Sequence, residues 1–155
     1  MKVLFMCTHN RCRSILSEAV FNHLAPDGFE AVSAGSHPSG EVSPLTLHAL
    51  KRAGITTEGL YSKSSDVFAD APPDVVITVC DRAAGEACPV YFGHALKAHW
   101  GLEDPSALEA SEADIQQAFE KTLRIIEQRV QAFLALPFDR LNRDELRSAV
   151  NALGN

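Results

Sequence analysis

Short apolar runs alternate along the chain with longer stretches in which apolar positions recur at helical spacing. Residues 74–79, Asp-Val-Val-Ile-Thr-Val, form the clearest short run, and this composition is typical of a parallel strand buried on both faces. The predicted strands are residues 2–6, 29–33, 74–79 and 95–100. The predicted helices are residues 13–24, 44–53, 66–69, 113–136 and 143–153, the last of them capped by Asn142.

This order of elements predicts a three-layer α/β fold, in which an open parallel sheet carries helices on both faces. Ligands bind such sheets in the crevice beyond the carboxyl ends of the strands. Cys7, Gly35 and Cys80 fall at such ends. Residues 81–93 form a long predicted loop, and loops of that length are usually functional.

Length and composition are those of one globular domain, which we expect to span residues 1–155. The chain is 46% hydrophobic and 22% charged, unlike disordered or collagen-like sequences. Its net charge of -6 argues against sequence-independent nucleic-acid binding, which needs a surplus of Lys and Arg. No apolar run is long enough to cross a bilayer, and the N-terminal run is too short for a signal peptide, so we expect a cytoplasmic protein with no membrane partner.

Four cysteines, Cys7, Cys12, Cys80 and Cys88, are spread over the chain. A reducing compartment disfavours structural disulfides, which leaves chemistry or simple burial as their role. A four-cysteine zinc site is the unrelated alternative. Four residues lie between Cys7 and Cys12 and seven between Cys80 and Cys88. Zinc knuckles usually have shorter spacings, so we expect no metal at these cysteines.

The segment Met-Cys-Thr-His-Asn-Arg-Cys-Arg-Ser at residues 6–14 lies where the first strand turns into the first helix. Such a turn directs backbone N–H groups inward, and the first helical turn adds more of them, which favours an oxyanion. Arg13 can add a two-pronged guanidinium contact. The same dipoles favour a nucleophilic thiolate at Cys7, to which Ser14 could donate a hydrogen bond, and Asn10 suits the left-handed backbone of a sharp turn.

A simpler interpretation makes Cys7 and Cys12 small buried hydrophobic residues and places the arginines at the helix start by chance. Cationic residues at a helix N-terminus oppose the helix dipole, which disfavours this interpretation.

The run from Cys7 to Ser14 resembles the C-x5-R-S anion loop of low-molecular-weight protein tyrosine phosphatases and of the arsenate reductases that share their flavodoxin-like fold. The resemblance extends over nearly the whole chain, because an Asp-Pro pair follows at 104–105 in the family's order. It implies that Cys7 attacks, that Arg13 binds the oxyanion and that Asp104 is the general acid. The substrate-binding residues that it implies are Thr8, His9, Asn10, Arg11, Cys12, Arg13 and Ser14.

Two positions of the loop depart from the family's usual residues. His9 stands where the family usually has Gly, and Arg11 where small residues are common. An Asp-Pro pair also often caps or turns a chain before a helix, and only the family match favours the general-acid role of Asp104 over that alternative.

A later cysteine pair, Cys80 and Cys88, favours arsenate reductase over phosphatase, because a phosphatase does not need it. The resemblance implies a relay in which Cys7 attacks arsenate, Cys80 attacks the sulfur of Cys7 so that arsenite leaves, and Cys88 then takes over the disulfide. Reductases of this fold also carry the His-Trp-Gly-x-x-Asp-Pro pattern found at residues 99–105. Thioredoxin or glutathione with glutaredoxin would reduce the final disulfide.

Two alternatives remain beside the relay. Cys80 could be strand core and Cys88 an incidental loop thiol. The chain could also be a low-molecular-weight phosphatase, although Ser106 and Ala107 follow the Asp-Pro pair where phosphatases commonly have aromatic residues. A small site without those aromatics suits a small tetrahedral oxyanion.

No tightly bound cofactor is expected, but some reductases of this family have a polar network behind the loop, sometimes around a monovalent cation. The residues at the corresponding positions are Asn10, Glu18, Ser33 and Asp66. A solvated Glu18 and a helix-capping Asp66 would explain the same residues equally well.

Overall fold

The computed structural model describes residues 1–81 and 94–154 and contains a four-stranded parallel sheet. The order across the sheet is β2-β1-β3-β4. The strands are Lys2–Cys7 (β1), Glu30–Gly35 (β2), Val75–Thr78 (β3) and Leu96–His99 (β4). In the register, Phe5 lies opposite Ser33 on β2 and Ile77 on β3. The predicted α/β class is confirmed, and every predicted strand lies within two residues of its predicted bounds.

Helices flank this sheet in the predicted chain order. The α-helices of the described residues are Arg13–Leu24 (α1), Pro44–Arg52 (α2), Glu112–Leu134 (α3) and Arg143–Ala152 (α4). The Asn142 side chain accepts a hydrogen bond from the backbone of Glu145, so the predicted cap of α4 is confirmed. The helix predicted at 66–69 is a 3₁₀ turn at Ser65–Phe68, and a second 3₁₀ turn at Pro105–Ala107 was not predicted.

The larger apolar core lies on one face of the sheet. It contains alternate residues of the strands, because successive strand residues point to opposite faces. On this face Phe5 of β1 meets Phe21 of α1 and Trp100, and Phe21 in turn packs against Phe133 of α3. The Trp100 indole N–H donates to the carbonyl of Val150 in α4 at 2.8 Å. The aromatic core therefore anchors the chain just after β4, where the segment that leads to Asp104 begins.

Helix α1 is buried on its polar side as well as on its apolar side. Every residue from Arg13 to Phe21 is buried, including Ser14, Ser17 and Glu18. The interpretation of Glu18 as a solvated side chain is therefore wrong, since only 8% of the residue is exposed. Helical spacing marked the apolar side correctly but could not show that the opposite side also faces protein.

None of the helices within residues 1–81 and 94–154 has the length and apolar character needed to span a membrane. The long loop predicted at 81–93 lies, apart from its first residue, outside the described residues.

Candidate active site

The turn from β1 into α1, residues 7–13, forms a compact loop that we call the anion loop. Asn10 has a φ of 47°, the left-handed conformation that its place in the turn predicted, so this prediction is confirmed. Helix α1 then begins at Arg13, one residue after Cys12 at its N-cap. The first residues of the helix therefore add their N–H groups to those of the loop.

Backbone carbonyls of the anion loop are turned towards residues 36–43. Four loop carbonyls accept hydrogen bonds from backbone N–H groups of that segment, at 2.8 to 3.3 Å. The acceptors are Cys7, Thr8, His9 and Arg11, and the donors are Ser36, His37, Ser39 and Ser43. Because C=O and N–H point in opposite directions across a trans peptide, this arrangement leaves the other side of the loop to N–H groups.

Gly35 at the end of β2 makes this close approach possible. A Cβ atom at this position would lie 2.5 Å from the Thr8 carbonyl oxygen and 3.0 Å from the Asn10 nitrogen. Any larger residue would therefore displace the backbone of the anion loop.

Cys7 is almost fully buried, and its sulfur has two polar neighbours, one in the loop and one in the first turn of α1. The Asn10 N–H donates to Cys7 Sγ at 3.2 Å, and Ser14 Oγ lies 2.9 Å from the same sulfur. Ser14 Oγ already accepts a hydrogen bond from Asn10 Nδ2 at 2.8 Å, so its own proton is available to the sulfur. These two contacts fix the position of the Cys7 sulfur in the site.

A buried network of side chains continues from Asn10 to the back of the loop. Asn10 Nδ2 also donates to Ser33 Oγ at 3.0 Å, and Ser33 Oγ donates to Glu18 Oε1 at 2.6 Å. On its other side, Asn10 Oδ1 accepts the backbone N–H of Lys63 at 2.9 Å. Three of the four residues expected in a polar network, Asn10, Glu18 and Ser33, are thus brought together.

The fourth, Asp66, is not part of this network. It is exposed in the first turn of the 3₁₀ helix, and within the described ranges its side chain has no hydrogen bond or ion pair to the other three. The expectation that Asp66 caps this helix is also wrong, because Ser64 is the cap and accepts the Asp66 N–H.

Glu18 instead faces the ammonium group of Lys63, with 3.6 Å between Oε1 and Nζ. Burial raises the pKa of Glu18, although the Ser33 hydrogen bond and the Lys63 charge oppose this. Burial lowers the pKa of Lys63, although the Glu18 charge opposes it. Each group therefore depends on the other to remain charged in the interior.

On the opposite side of the loop, Arg13 reaches the segment that follows β4. Its Nη1 donates to the Leu102 carbonyl at 3.2 Å, and its Nη2 lies 3.7 Å from Asp104 Oδ2. The Arg13 side chain is 8% exposed and that of Asp104 25% exposed. The structure thus places two of the predicted site residues, 91 positions apart in the chain, side by side.

Asp104 uses its two oxygens differently. Oδ1 accepts the N–H and the hydroxyl of Ser106, at 2.9 and 2.6 Å, and so caps the 3₁₀ helix. Oδ2 is the oxygen near Arg13. The capping role considered for the Asp-Pro pair is therefore real, and it leaves the second oxygen facing the loop.

Cys12 is a free thiol like Cys7, but its surroundings are different. Burial raises the pKa of Cys12 from 9.0 to about 12, and the Asp104 charge adds to the increase, while hydrogen bonds with Thr46 and Ser106 and the Arg13 charge oppose it. Cys12 therefore remains a neutral thiol at physiological pH.

The other predicted binding residues lie on the outer part of the anion loop. His9 and Arg11 are exposed, and Thr8 is half-buried. The ring of His9 is fixed towards the adjacent segment, with Nδ1 3.1 Å from the His37 carbonyl oxygen. These residues contribute backbone to the loop, and His9 and Arg11 carry their side chains at the surface.

Cys80 lies two residues beyond β3 and is completely buried. Strand pairing brings this part of the chain next to Cys7, because the Val79 N–H donates to the carbonyl of Met6 at 2.9 Å. Cys80 is disulfide-bonded, a state that cannot provide a thiolate to zinc. Cys88 lies outside the described residues, and among those described no group of three or more His, Cys, Asp or Glu is placed to hold a metal ion.

Sequence reasoning missed three contributors to this site. Lys63, Thr46 and the Leu102 carbonyl all reach the loop from distant parts of the chain. A lysine within the serine-rich stretch 61–65 has the pattern of an exposed loop, so no local signal marked it.

Comparisons with known proteins agree with this geometry. Residues 2–147 match the low molecular weight phosphotyrosine protein phosphatase family, and the chain belongs to that family. An arsenate reductase of Shouchella clausii is 30% identical over 131 residues, which cover 84% of this chain and 93% of the relative.

Solved structures give the same result. A crystal structure of an arsenate reductase from Archaeoglobus fulgidus aligns with a TM-score of 0.67 and 25% identity over 83% of this chain and 98% of its own. The thioredoxin-dependent arsenate reductase of Corynebacterium glutamicum aligns with a TM-score of 0.58 and 29% identity over 84% of this chain and 61% of its own.

Proposed function

We propose that this protein is an arsenate reductase. The observation that carries the proposal is the position of Cys7 Sγ within the anion loop, 3.2 Å from the Asn10 nitrogen and 2.9 Å from Ser14 Oγ, in a chain whose relatives are named arsenate reductases. A loop of N–H groups at a helix N-terminus suits a tetrahedral oxyanion such as arsenate. We propose cytoplasmic action, where reduced thiols are available.

The first step is attack by the Cys7 thiolate on arsenic. Arg13 and the loop N–H groups of residues 8–14 bind the oxyanion, and Asp104 donates a proton to the departing oxygen, which leaves as water. The ion-pair distance of 3.7 Å between Arg13 and Asp104 supports a shared role at one substrate.

The second step forms a disulfide and reduces arsenic. Cys80 as a thiolate attacks Cys7 Sγ, the bond between sulfur and arsenic breaks, and its electron pair remains on arsenic, which leaves as arsenite. Cys88 then attacks Cys80, which releases the Cys7 thiol and leaves the disulfide on Cys80 and Cys88. Support comes from the burial of Cys80 beside β1 and from its ability to form a disulfide.

An external thiol donor must return the Cys80 and Cys88 pair to the reduced form. Thioredoxin and glutathione with glutaredoxin both supply two electrons to such a disulfide. The name of the Corynebacterium glutamicum structure, a thioredoxin-dependent arsenate reductase, favours thioredoxin for this chain.

Arsenite formation by cysteine variants tests the relay. With an excess of arsenate over reduced protein and no external reductant, wild type should form about one arsenite per protein molecule and Cys88→Ser should do the same, because Cys7 and Cys80 suffice for one turnover. Cys88→Ser should fail in repeated turnover with thioredoxin, and Cys80→Ser should fail in both assays. If Cys80→Ser forms arsenite as fast as wild type, the relay is wrong.

Phosphatase activity is the second candidate, and the family match favours it. Hydrolysis of an aryl phosphate needs Cys7, Arg13 and Asp104, with water in place of Cys80. We expect Cys80→Ser to retain such hydrolysis while it loses arsenite formation. Efficient hydrolysis of phosphotyrosine by a wild type that forms no arsenite would make phosphatase the function.

A further inference from the structure

The buried ion pair between Lys63 and Glu18 lies behind the anion loop, and no step of the proposed reaction uses it. Lys63 is 8% exposed, although its residue type is rarely buried. Its Nζ donates to the Tyr61 carbonyl at 3.0 Å and lies 4.3 Å from the centre of the Tyr61 ring. The ammonium group is thus fixed by a carboxylate, a carbonyl oxygen and an aromatic face.

Lys63 also closes a ring of contacts with Asn10. Its backbone N–H donates to Asn10 Oδ1, and its ammonium pairs with Glu18, which accepts the Ser33 proton. Ser33 in turn accepts from Asn10 Nδ2. One residue therefore contacts both ends of the chain of side chains that orients Asn10.

The charge on Glu18 determines the direction of the hydrogen bond that it shares with Ser33. An ionised carboxylate can only accept, so Ser33 must donate to it and has its oxygen left for the Asn10 amide. The Asn10 amide nitrogen, which can only donate, also donates to Ser14, and the Ser14 proton is left for Cys7 Sγ. A protonated Glu18 could donate to Ser33 instead of accepting from it, which would displace the Ser33 proton from this contact and weaken the support behind Asn10.

We propose that the Lys63 ammonium is the positioning cation of the anion loop, built into the chain in place of a bound monovalent cation. It keeps Glu18 ionised, and through Ser33 and Asn10 it fixes the loop in the conformation that binds an oxyanion. Lys63 touches neither substrate nor Cys7 in this scheme and is a positioning residue. The inference rests on the proposed function only in treating the loop as an oxyanion site.

Binding of inorganic phosphate provides a test without arsenate chemistry. Lys63→Ala removes the ammonium and opens a space beside Glu18, whereas Lys63→Met removes the charge but fills most of that space. We expect both variants to bind phosphate about tenfold or more weakly in calorimetry, comparable to the loss of outer partners at other sites. Ammonium chloride should restore binding to Lys63→Ala, and choline chloride at equal ionic strength, with its larger cation, should not.

Lys63→Met and the wild type are the controls for this test. Lys63→Met should not be restored by ammonium, and wild type should bind phosphate equally well in potassium, ammonium and choline chloride. The proposal is overturned if potassium or ammonium strengthens phosphate binding by wild type, if both variants bind as tightly as wild type, or if ammonium fails to restore Lys63→Ala or restores both variants alike.

Failure of the proposed function would look different. A protein that binds phosphate with the expected response to cations but forms no arsenite retains the role of Lys63 and loses the reductase assignment. Phosphate binding by wild type in the three salts can be measured without any variant, so this comparison remains possible even if both substitutions prevent folding.

Discussion

The anion loop is supported on two sides that differ in burial and in contact length. On the Asn10 side, four hydrogen bonds of 2.6 to 3.0 Å link buried groups. On the Arg13 side, the hydrogen bond to Leu102 is 3.2 Å, the ion pair with Asp104 is 3.7 Å, and a quarter of the Asp104 side chain is exposed. The first side suits a fixed backbone, and the second suits side chains that can shift when a substrate binds.

The substitution Asp104→Asn tests this difference and should have the largest effect. An amide at this position has no carboxyl proton to donate, so we expect kcat for arsenite formation to fall by roughly 10² to 10⁴-fold. The amide oxygen can still accept the Ser106 N–H, so the melting temperature should change little. Steady-state kinetics and thermal unfolding measure the two effects on the same sample.

Phosphate binding and a neighbouring variant provide the controls for that result. Loss of a negative charge near Arg13 should leave phosphate affinity unchanged or tighter. Ser106→Ala removes a hydroxyl that donates to Asp104 Oδ1 at 2.6 Å but retains the carboxylate, and we expect a far smaller loss of kcat. A kcat for Asp104→Asn close to that of wild type would exclude Asp104 as the general acid.

Gly35→Ala tests the Asn10 side and should have the next largest effect. The new Cβ would meet the Thr8 carbonyl and the Asn10 nitrogen, at 2.5 and 3.0 Å, and these backbone atoms cannot move without distorting the loop. We expect a loss of about 1–3 kcal/mol in the free energy of unfolding, together with weaker phosphate binding. Chemical denaturation and calorimetry measure the two quantities.

Gly40→Ala is the matched control, since it introduces the same methyl group in open space. Gly40 has a φ of 84°, and a Cβ there would have no atom within 4 Å. Its substitution should cost about 1 kcal/mol from backbone strain alone and leave phosphate binding unchanged. If Gly35→Ala binds phosphate as wild type does, the loop is less rigid than its contacts indicate.

The sequence predicted the Cys7 side of the site better than the support behind it. The turn from an apolar strand into a helix is local, so the pattern sufficed to place Cys7 and Arg13 and to expect a left-handed Asn10. Parallel strands place their carboxyl ends at one edge, and the order of elements therefore predicted that Cys80 would lie near Cys7.

The remaining contacts depend on tertiary packing that no local pattern encodes. Glu18 lies on the polar side of a helix, where sequence periodicity predicts solvent, but it is buried and contacts Ser33 and Lys63, which are distant from it in the chain. The Leu102 carbonyl offers its oxygen to Arg13 through backbone geometry, independently of its side chain. Such contacts form only in the folded chain, so a local sequence pattern cannot predict them.

Alkaline pH tests the burial of Cys12 on the Arg13 side of the loop and gives the smallest effect. Cys12 lies near Asp104 and Arg13, and its pKa is raised from 9.0 to about 12, chiefly by burial. In the unfolded chain Cys12 loses its proton near pH 9, while the folded protein retains it. The stability that Cys12 contributes is therefore fully present below pH 9 and is lost as pH rises from 9 towards 12.

Comparison with Cys12→Ala isolates this titration. The variant lacks the thiol, so the difference in melting temperature between wild type and Cys12→Ala should shrink as the pH rises from 7 to about 10. Other groups titrate in both proteins and cancel in the difference. If the difference stays constant, Cys12 has the same acidity in the folded and unfolded chains, and the burial of this thiol on the Arg13 side does not separate its chemistry from that of an exposed cysteine.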